Sequence, residues 1–435
     1  MERSINPRNR IILVDDTSVA IVEKESQRAS STAKIHFLEN VTLDSTKFGG
    51  IHPVLALESH QEKLANLVKK AISHLPEVDA NSEARYQVTM ADRAEQPRLR
   101  PDFISATRGP GMRSNLSVGL DTAKGLALAW QIPFVGVHHM QAHLLTPRLV
   151  SSVKGGSWAQ LTSPKFPFMS LLTSGGHTLL VNSMTLTDHE ILADTCDTAI
   201  GDTIDKAARV IIPESLIQSN KGTAYGKLLE QFAFPNGPQD YADYSPPLTR
   251  ADEIIPHKSD WGWSLTTPLA KSRDLRFSFS GLATSIENIV KEKRKDGKEM
   301  SEKERIDLAR AAMTTSFEHL ASRVVLALQS LDPRKRKAVT TIVISGGVAS
   351  NKFLMKVMKT FLHARGFGHI EFVTPPPYLC TDNAAMIGWA GIEMFEMGWS
   401  TDLSARALKK WSLDPTAEDR GILGPVGWKK GRPQI

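Results

Sequence analysis

Two cysteines, Cys196 and Cys380, are all that this 435-residue chain contains. Two cannot build a disulfide framework, so the composition favours a reducing compartment over secretion. Long apolar runs are missing too. No stretch reaches the ~18 uncharged apolar residues of a membrane helix. The most apolar run, Gly125 to Val137, is too short and contains Gln131. Charge of one sign is not in great excess: 53 Lys and Arg against 47 Asp and Glu leave a net charge of +6. That permits a polyanionic partner without requiring one. There is no GxxxxGK[ST] and no GxGxxG, so P-loop ATPase and Rossmann dehydrogenase readings lack support. No Ser/His/Asp triad stands out.

What is present is an ordinary globular balance, 41% hydrophobic and 23% charged. It excludes a wholly disordered, collagen-like or coiled-coil chain, and the length suits two or three domains. Apolar periodicity alternates between strand-like and helix-like segments, the pattern of an α/β protein. Ile11 to Val14 reads as a buried strand, with Val19 to Val22 as its hairpin partner. Leu64, Leu67, Val68, Ala71, Ile72 and Leu75 share one face of a helix. A strand at Asp102–Thr107, a helix at Leu116–Trp130 and a strand at Ile132–Val137 complete a first half. The second half opens the same way. Phe168–Thr173 is a strand, Gly175-Gly176 a tight turn and His177–Val181 the return strand. Helices follow at about Ala199–Val210 and Tyr225–Phe234, and residues 236–275 form a Pro-rich, aperiodic insertion. Ser301 to Glu304 reads as a capping box opening a helix to about Leu331. A strand at Val339–Ile344, a helix from Asn351, a strand at His369–Thr374 and a helix at Asp382–Met397 close the pattern. The expected organisation is a leader at 1–10, without order, then a first lobe at 11–150 and a linker at 151–166. A second lobe at 167–400 carries an insertion near 212–300, and a tail runs from 401 to 435. The two lobes are expected to be duplicates with a cleft between them.

Several short motifs carry chemistry. In the run from His138 to His143, His139 and His143 are four apart on an expected helix, a spacing that suits two ligands on one divalent ion. Alone, the pair also reads as a helix that happens to carry histidines. A zinc-protease motif needs Glu directly after the first His; Met140 stands there. Asp382 reads as a helix N-cap, or as a carboxylate completing a two-His site. Ser174-Gly175-Gly176-His177-Thr178 and Ser345-Gly346-Gly347 are strand–Gly–Gly–turn elements. Glycine pairs let backbone N–H groups approach phosphate, although either alone is an ordinary turn. Taken as equivalent places in two lobes, they suit a nucleotide gripped from both sides. Asp202 and Asp205 sit in a first helical turn, where the dipole favours acids; Asp205 could also accept hydrogen bonds from a substrate hydroxyl. Arg334 to Lys337, and Lys429-Lys430 with Arg432, are basic clusters that read as solvated surface or as contacts to a nucleic-acid backbone.

As an ordered set these motifs resemble the tRNA N6-adenosine threonylcarbamoyltransferases, formerly labelled O-sialoglycoprotein endopeptidases. The matching stretches are Thr107 to Gly111, Ser117 to Ala127, His138 to His143, Ser174 to Thr178, Gly201 to Lys206, Phe277 to Leu282, Ser345 to Asn351 and Thr381 to Gly388. The endings around Trp411 and Trp428 resemble the fungal mitochondrial branch. The resemblance implies an actin/Hsp70-like (ASKHA) fold of two RNase-H-like lobes. It implies transfer of threonylcarbamoyl from threonylcarbamoyl-adenylate to N6 of the adenosine just 3′ of the anticodon, in tRNAs reading codons that begin with A. The product is t6A, with AMP released. It implies one divalent metal ion per subunit (Fe, Zn or Mg) on His139, His143 and Asp382. Ser174, Gly175, Gly176, His177, Thr178, Asp205, Gly226 and Asn351 would hold the substrate. Its expected partners are tRNA, a separate donor-making enzyme and a second copy in a homodimer, with no membrane. The expected location is the mitochondrion, otherwise the cytoplasm. A metallopeptidase, an ASKHA-type ATPase and a non-catalytic scaffold are the alternatives.

Two positions depart from the family pattern. Lys227 follows Gly226 where Pro is usual. Ile11 to Val14 stand where the family has Glu-Thr-Ser-Cys, so that only Asp15 onward matches the turn whose polar groups face the donor phosphate. The expectation is a chain that folds and binds metal but transfers poorly.

Overall fold

The computed structural model describes residues 8–15, 17–27, 30–41, 53–78, 87–89, 97–154, 162–219, 225–295, 297 and 299–432; of residues 8–15, 26–27 and 30–31 it describes the backbone alone. The expected leader lies mostly outside this set, and the first strand already begins at Arg8.

The elements that position the sites are, in chain order, β1 (Arg8–Asp15), β2 (Ser18–Gln27), β3 (Ser30–Asn40), α1 (Pro53–Ile72), β4 (Phe103–Gly109), α2 (Arg113–Trp130), β5 (Phe134–His138) and α3 (His139–Lys154). They continue with β6 (Phe168–Thr173), β7 (Thr178–Ser183), β8 (His189–Thr195), α4 (Ile200–Ile211), α5 (Tyr225–Ala233), β9 (Arg276–Phe277), α6 (Ser280–Lys295) and α7 (Glu302–Ser330). Last come β10 (Thr341–Ser345), α8 (Lys352–Leu362), β11 (Glu371–Val373), α9 (Ala384–Glu396), β12 (Trp399–Thr401) and β13 (Trp428–Lys430).

The chain divides into two compact units: residues 1–166, 184–190 and 381–435, and residues 167–183 and 191–380. In the first, the sheet order is β3-β2-β1-β4-β5. β1 pairs antiparallel with β2 and parallel with β4, and β4 pairs parallel with β5. In the second, the order is β9-β8-β7-β6-β10-β11, with β6 antiparallel to β7 and parallel to β10. Leaving aside the edge strand β9, both sheets run third-second-first-fourth-fifth. Each is an RNase-H-like lobe, and the duplication expected from the two hairpin openings is present in the topology. Parallel strands covered by helices are buried on both faces: every residue of β4, β5 and β6 is buried, and so is every residue of the antiparallel β7.

The residues 381–400, grouped with the second lobe on sequence, belong to the first unit. There α9 is buried along nearly its whole length and packs on α3, β1 and β2. Its apolar run has no polar face to offer solvent, which is the signature of a helix enclosed on all sides. The one acid buried on it, Glu393, accepts from Arg148 Nε at 2.8 Å and from Trp389 Nε1 at 2.6 Å, so the charge is paired as burial demands.

In the second unit α7 is the axis of the core. Leu308, Ala312, Phe317, Leu320, Val324 and Leu328 on it are buried. Ser301 caps it by accepting the Glu304 N–H at 3.2 Å. The expected capping box is half made, because the Glu304 carboxylate pairs with Lys293 at 3.0 Å instead. The Pro-rich insertion has little secondary structure and is tied down by the buried Arg323 and the half-buried Arg250. Arg323 donates to the carbonyls of Leu269, Ser272 and Asp274 at 2.7–3.0 Å. Arg250 donates to Ser272 O at 2.9 Å. Carbonyls that no strand or helix satisfies are thus satisfied by guanidinium forks.

Candidate functional site

In the first unit the chain leaves β5 and enters α3 at the paired histidines. His138 is buried, and its Nδ1 accepts the N–H groups of Met140 at 3.1 Å and Gln141 at 3.4 Å. Its Nε2 faces Trp411 O at 3.0 Å. An imidazole that accepts at Nδ1 and donates at Nε2 is neutral, and burial lowers its pKa to about 3. His138 therefore caps α3, satisfying N–H groups that the helix leaves free. Gln141, one turn on, donates to Leu186 O at 2.8 Å. The first turn of α3 is thereby fixed, and His139 and His143 project from it together.

The Nε2 atoms of His139 and His143 are 3.3 Å apart. Asp382 Oδ1 lies 3.5 Å from the first and 3.0 Å from the second. All three ligand atoms fall within 4.8 Å of one another. Desolvation where the carboxylate meets the histidines opposes its charge, but hydrogen bonds from the two imidazoles outweigh it and hold Asp382 well below the usual carboxylate range. Asp382 does not cap α9. Asn383 does, its side chain accepting the Met386 N–H at 3.1 Å. With the cap supplied by its neighbour, the Asp382 carboxylate is free to face the histidines. The turn is braced by Ser18, whose Oγ accepts the Ala384 N–H at 2.9 Å. Two imidazole nitrogens and one carboxylate, with room for further ligands on the exposed Asp382 side, form a donor set that fits a divalent cation.

The second unit gathers the glycine turns. The expectation that the two SGG elements occupy equivalent places in two lobes is corrected here. β6 and β10 are adjacent and parallel, with Leu172 beside Ser345, so both turns leave the same edge of one sheet. The C-terminal ends of parallel strands are where α/β sheets bind ligands. Close packing requires the glycines. Gly346 has φ +96°, and a Cβ there would stand 2.4 Å from Thr173 O. At Gly201, the second residue of α4, a Cβ would meet Ser174 O at 2.6 Å.

Within this cluster the expected residues divide by role. Ser174 Oγ accepts the His177 N–H at 3.0 Å and the Gly176 N–H at 3.3 Å, closing the turn and leaving Gly175, Gly176 and His177 exposed. Thr178 is buried; its Oγ1 accepts the Ile200 N–H at 2.9 Å and so caps α4. Asp205 Oδ1 accepts the Gly226 N–H at 3.0 Å. Burial raises the Asp205 carboxyl, opposed by that hydrogen bond. Asn351 is buried and caps α8, accepting the Leu354 N–H at 2.9 Å. Thr178 and Asn351 thus spend side-chain atoms on the scaffold. Asp15 ends β1, opposite Ser18, and its side chain lies outside the described residues.

Sequence reasoning missed four supports. His138, the cap of α3, was hidden by the more conspicuous pair beside it. Asn383 was overshadowed by Asp382. Glu230 accepts the N–H groups of Lys352 at 2.7 Å and Phe353 at 3.3 Å, from a distance in sequence that no local motif shows. Asp197 accepts from Ser278 Oγ at 2.7 Å, Phe279 N at 2.9 Å and Ser280 Oγ at 2.6 Å. Burial opposes its charge, yet these hydrogen bonds bring its pKa down to about 2. The Phe277–Leu282 motif is therefore a serine clamp on the start of α6.

A family model described as tRNA N6-adenosine threonylcarbamoyltransferase matches residues 94–389. The chain belongs to that family. It is 34% identical over 420 residues to the mitochondrial tRNA N6-adenosine threonylcarbamoyltransferase of Schizosaccharomyces pombe, covering 95% of this chain and 86% of the relative. It is 32% identical over 409 residues to the tRNA N6-adenosine threonylcarbamoyltransferase of Brucella anthropi, covering 92% of this chain and 93% of the relative. The convergent histidines and Asp382, and both glycine turns, lie within the family match.

Proposed function

We propose that this chain transfers the threonylcarbamoyl group of threonylcarbamoyl-adenylate to N6 of the adenosine just 3′ of the anticodon, making t6A in tRNAs that read codons beginning with A and releasing AMP. The observation that carries the reading is the convergence of His139, His143 and Asp382 in a member of this transferase family. The donor is a mixed carbamic–phosphoric anhydride, already activated. The acceptor is a weakly nucleophilic aryl amine. What the protein must supply is orientation and stabilisation of charge on the departing phosphate.

His139, His143 and Asp382 would hold a divalent ion, which when bound neutralises phosphate charge and makes AMP a better leaving group. His138 and Asn383 fix the ligands in place. We assign the adenylate to the second unit. The exposed turn at Gly175 and Gly176, closed by Ser174 and with no side chain in the way, lets a phosphate approach the backbone closely. The Asp205 carboxylate, anchored by Gly226, keeps an oxygen for a hydroxyl of the donor. Thr178 and Asn351 act by capping α4 and α8. Met140, buried and without a base to offer, leaves the peptidase alternative without its general base.

The donor-making enzyme, a homodimeric state and a mitochondrial location are part of the same proposal. The last rests on the likeness to the S. pombe mitochondrial protein.

The test is direct. The purified chain is incubated with tRNA transcript, threonine, bicarbonate, ATP and a donor-making enzyme, and the nucleosides are read by mass spectrometry. Threonylcarbamoyladenosine that requires the chain is the expected result. Its absence with active donor supply would overturn the reading.

A further inference from the structure

The first unit contains a cavity of about 830 Å³ that none of the residues assigned above lines. One wall is a face of α2, where Arg113, Ser117, Asp121 and Lys124 recur at helical spacing. The other is the C-terminal tail around Arg406 and Lys429. The tail is stitched to the end of β4 and the loop after it. Leu408 N–H donates to Arg108 O at 2.8 Å, and Gly111 N–H donates to Leu408 O at 3.1 Å.

Arg108 sits against this cavity and is only 2% exposed. Its Nε donates to Arg406 O at 3.2 Å and its Nη2 to Val426 O at 2.7 Å. Its Nη1 is buried without a partner, and no carboxylate among the described residues lies within ion-pair distance of it. Arginine keeps its proton even when burial disfavours the charge. A buried cation without a counter-ion is costly. The acids in the cavity wall do not relieve it, because both are taken: Asp121 pairs with Lys124 at 3.2 Å and Asp402 with Lys429 at 2.6 Å. Arg113 and Arg406, both exposed, have no acidic partner among the described residues. Three guanidinium groups therefore share one cavity with no anion of the protein to balance them.

We propose that this cavity binds a backbone phosphate of the tRNA. Arg113 and Arg406 make the direct contacts with their planar forks. Arg108, too deep for solvent to reach, supplies field from beneath. The tail continues past the cavity as exposed Lys409 and Lys410, a basic strip that suits a repeating polyanion better than a lone phosphate. Trp428 also lines the cavity, and its ring offers a flat surface for a base. The assignment deepens the transferase reading and rests on it.

The test uses the full chain and a double variant, Arg113→Gln with Arg406→Gln. tRNA affinity is measured by filter binding across a salt series. The expected result is a roughly ten-fold weaker Kd at moderate salt and a log–log salt slope smaller by about two. AMP affinity, metal content and melting temperature should stay as in the parent. Unchanged tRNA affinity and slope in the double variant would overturn the proposal. A second arm titrates inorganic phosphate and AMP. If either binds the parent and not the variant while tRNA binds both alike, the cavity serves free phosphate and the proposal falls. If the parent makes no t6A and binds no tRNA, the transferase reading fails and takes the proposal with it. Retained t6A activity in the parent with an indifferent double variant fails the cavity assignment alone.

Discussion

Asn383 accepts the N–H of Met386 at 3.1 Å and caps α9, and this leaves the adjacent Asp382 to face the two histidines of α3. One asparagine thus decides whether the neighbouring carboxylate is structural or chemical. Asn383→Ala is expected to lower stability by about 1 kcal/mol, the usual value of a lost N-cap. It should also weaken metal binding, because the cap and the Ser18 bond to Ala384 brace the turn together. Calorimetric metal titration and a denaturant melt check the two effects. A variant that loses stability but binds metal as the parent does would separate the cap from the site.

His139→Ala with His143→Ala is expected to remove both bound metal and transfer. Elemental analysis and the nucleoside assay read the two quantities. Full activity of the double variant in chelator would mean that the three-ligand cluster plays no part in the reaction.

Gly346→Ala should injure the second unit selectively. Its φ of +96° disfavours any Cβ, and that Cβ would stand 2.4 Å from Thr173 O. A cost of about 1–3 kcal/mol follows from the strained backbone. The loss should appear in AMP affinity and melting temperature, with metal content preserved.

Acid should destabilise the second unit through His319. The side chain is buried, accepts the Ser278 N–H at 3.2 Å through Nε2, and has its pKa lowered by burial, with Arg323 and Arg250 adding to the shift, to about 3. The unfolded chain takes up this proton near pH 6.5 and the folded chain does not. Stability from this group is complete above about pH 6.5 and is lost as pH falls from there toward 3. Denaturant unfolding at pH 7.5, 6 and 5 should show the decline, and His319→Gln should flatten it. An equal slope in parent and variant would assign the effect elsewhere.

Ile11 to Val14 form the central part of β1, in register with Phe103 to Ala106 of β4. The strand forms despite the departure from the family pattern. Replacing the four by Glu-Thr-Ser-Cys is expected to raise transfer with little change in melting temperature. If the unmodified chain already transfers as fast, the polar strand end is dispensable.

The sequence by itself determined the α/β alternation, the two hairpin openings and the 139/143 spacing, because these follow from local periodicity. A period of two or 3.6 is written in consecutive residues, and a helix puts positions four apart on one face whatever surrounds it. It also determined the family, since an ordered set of short motifs survives where each alone is weak. Only the tertiary structure decided that both glycine turns leave one sheet edge, that α9 belongs to the first unit, and that Asn383 is the cap. It alone placed Arg108 beneath a cavity with no acid to balance it. These depend on strand order, on which backbone N–H a side chain reaches, and on which charges are already paired. Such relations join residues far apart in the chain, as Arg108 joins Arg406 and Val426, and no local pattern encodes them.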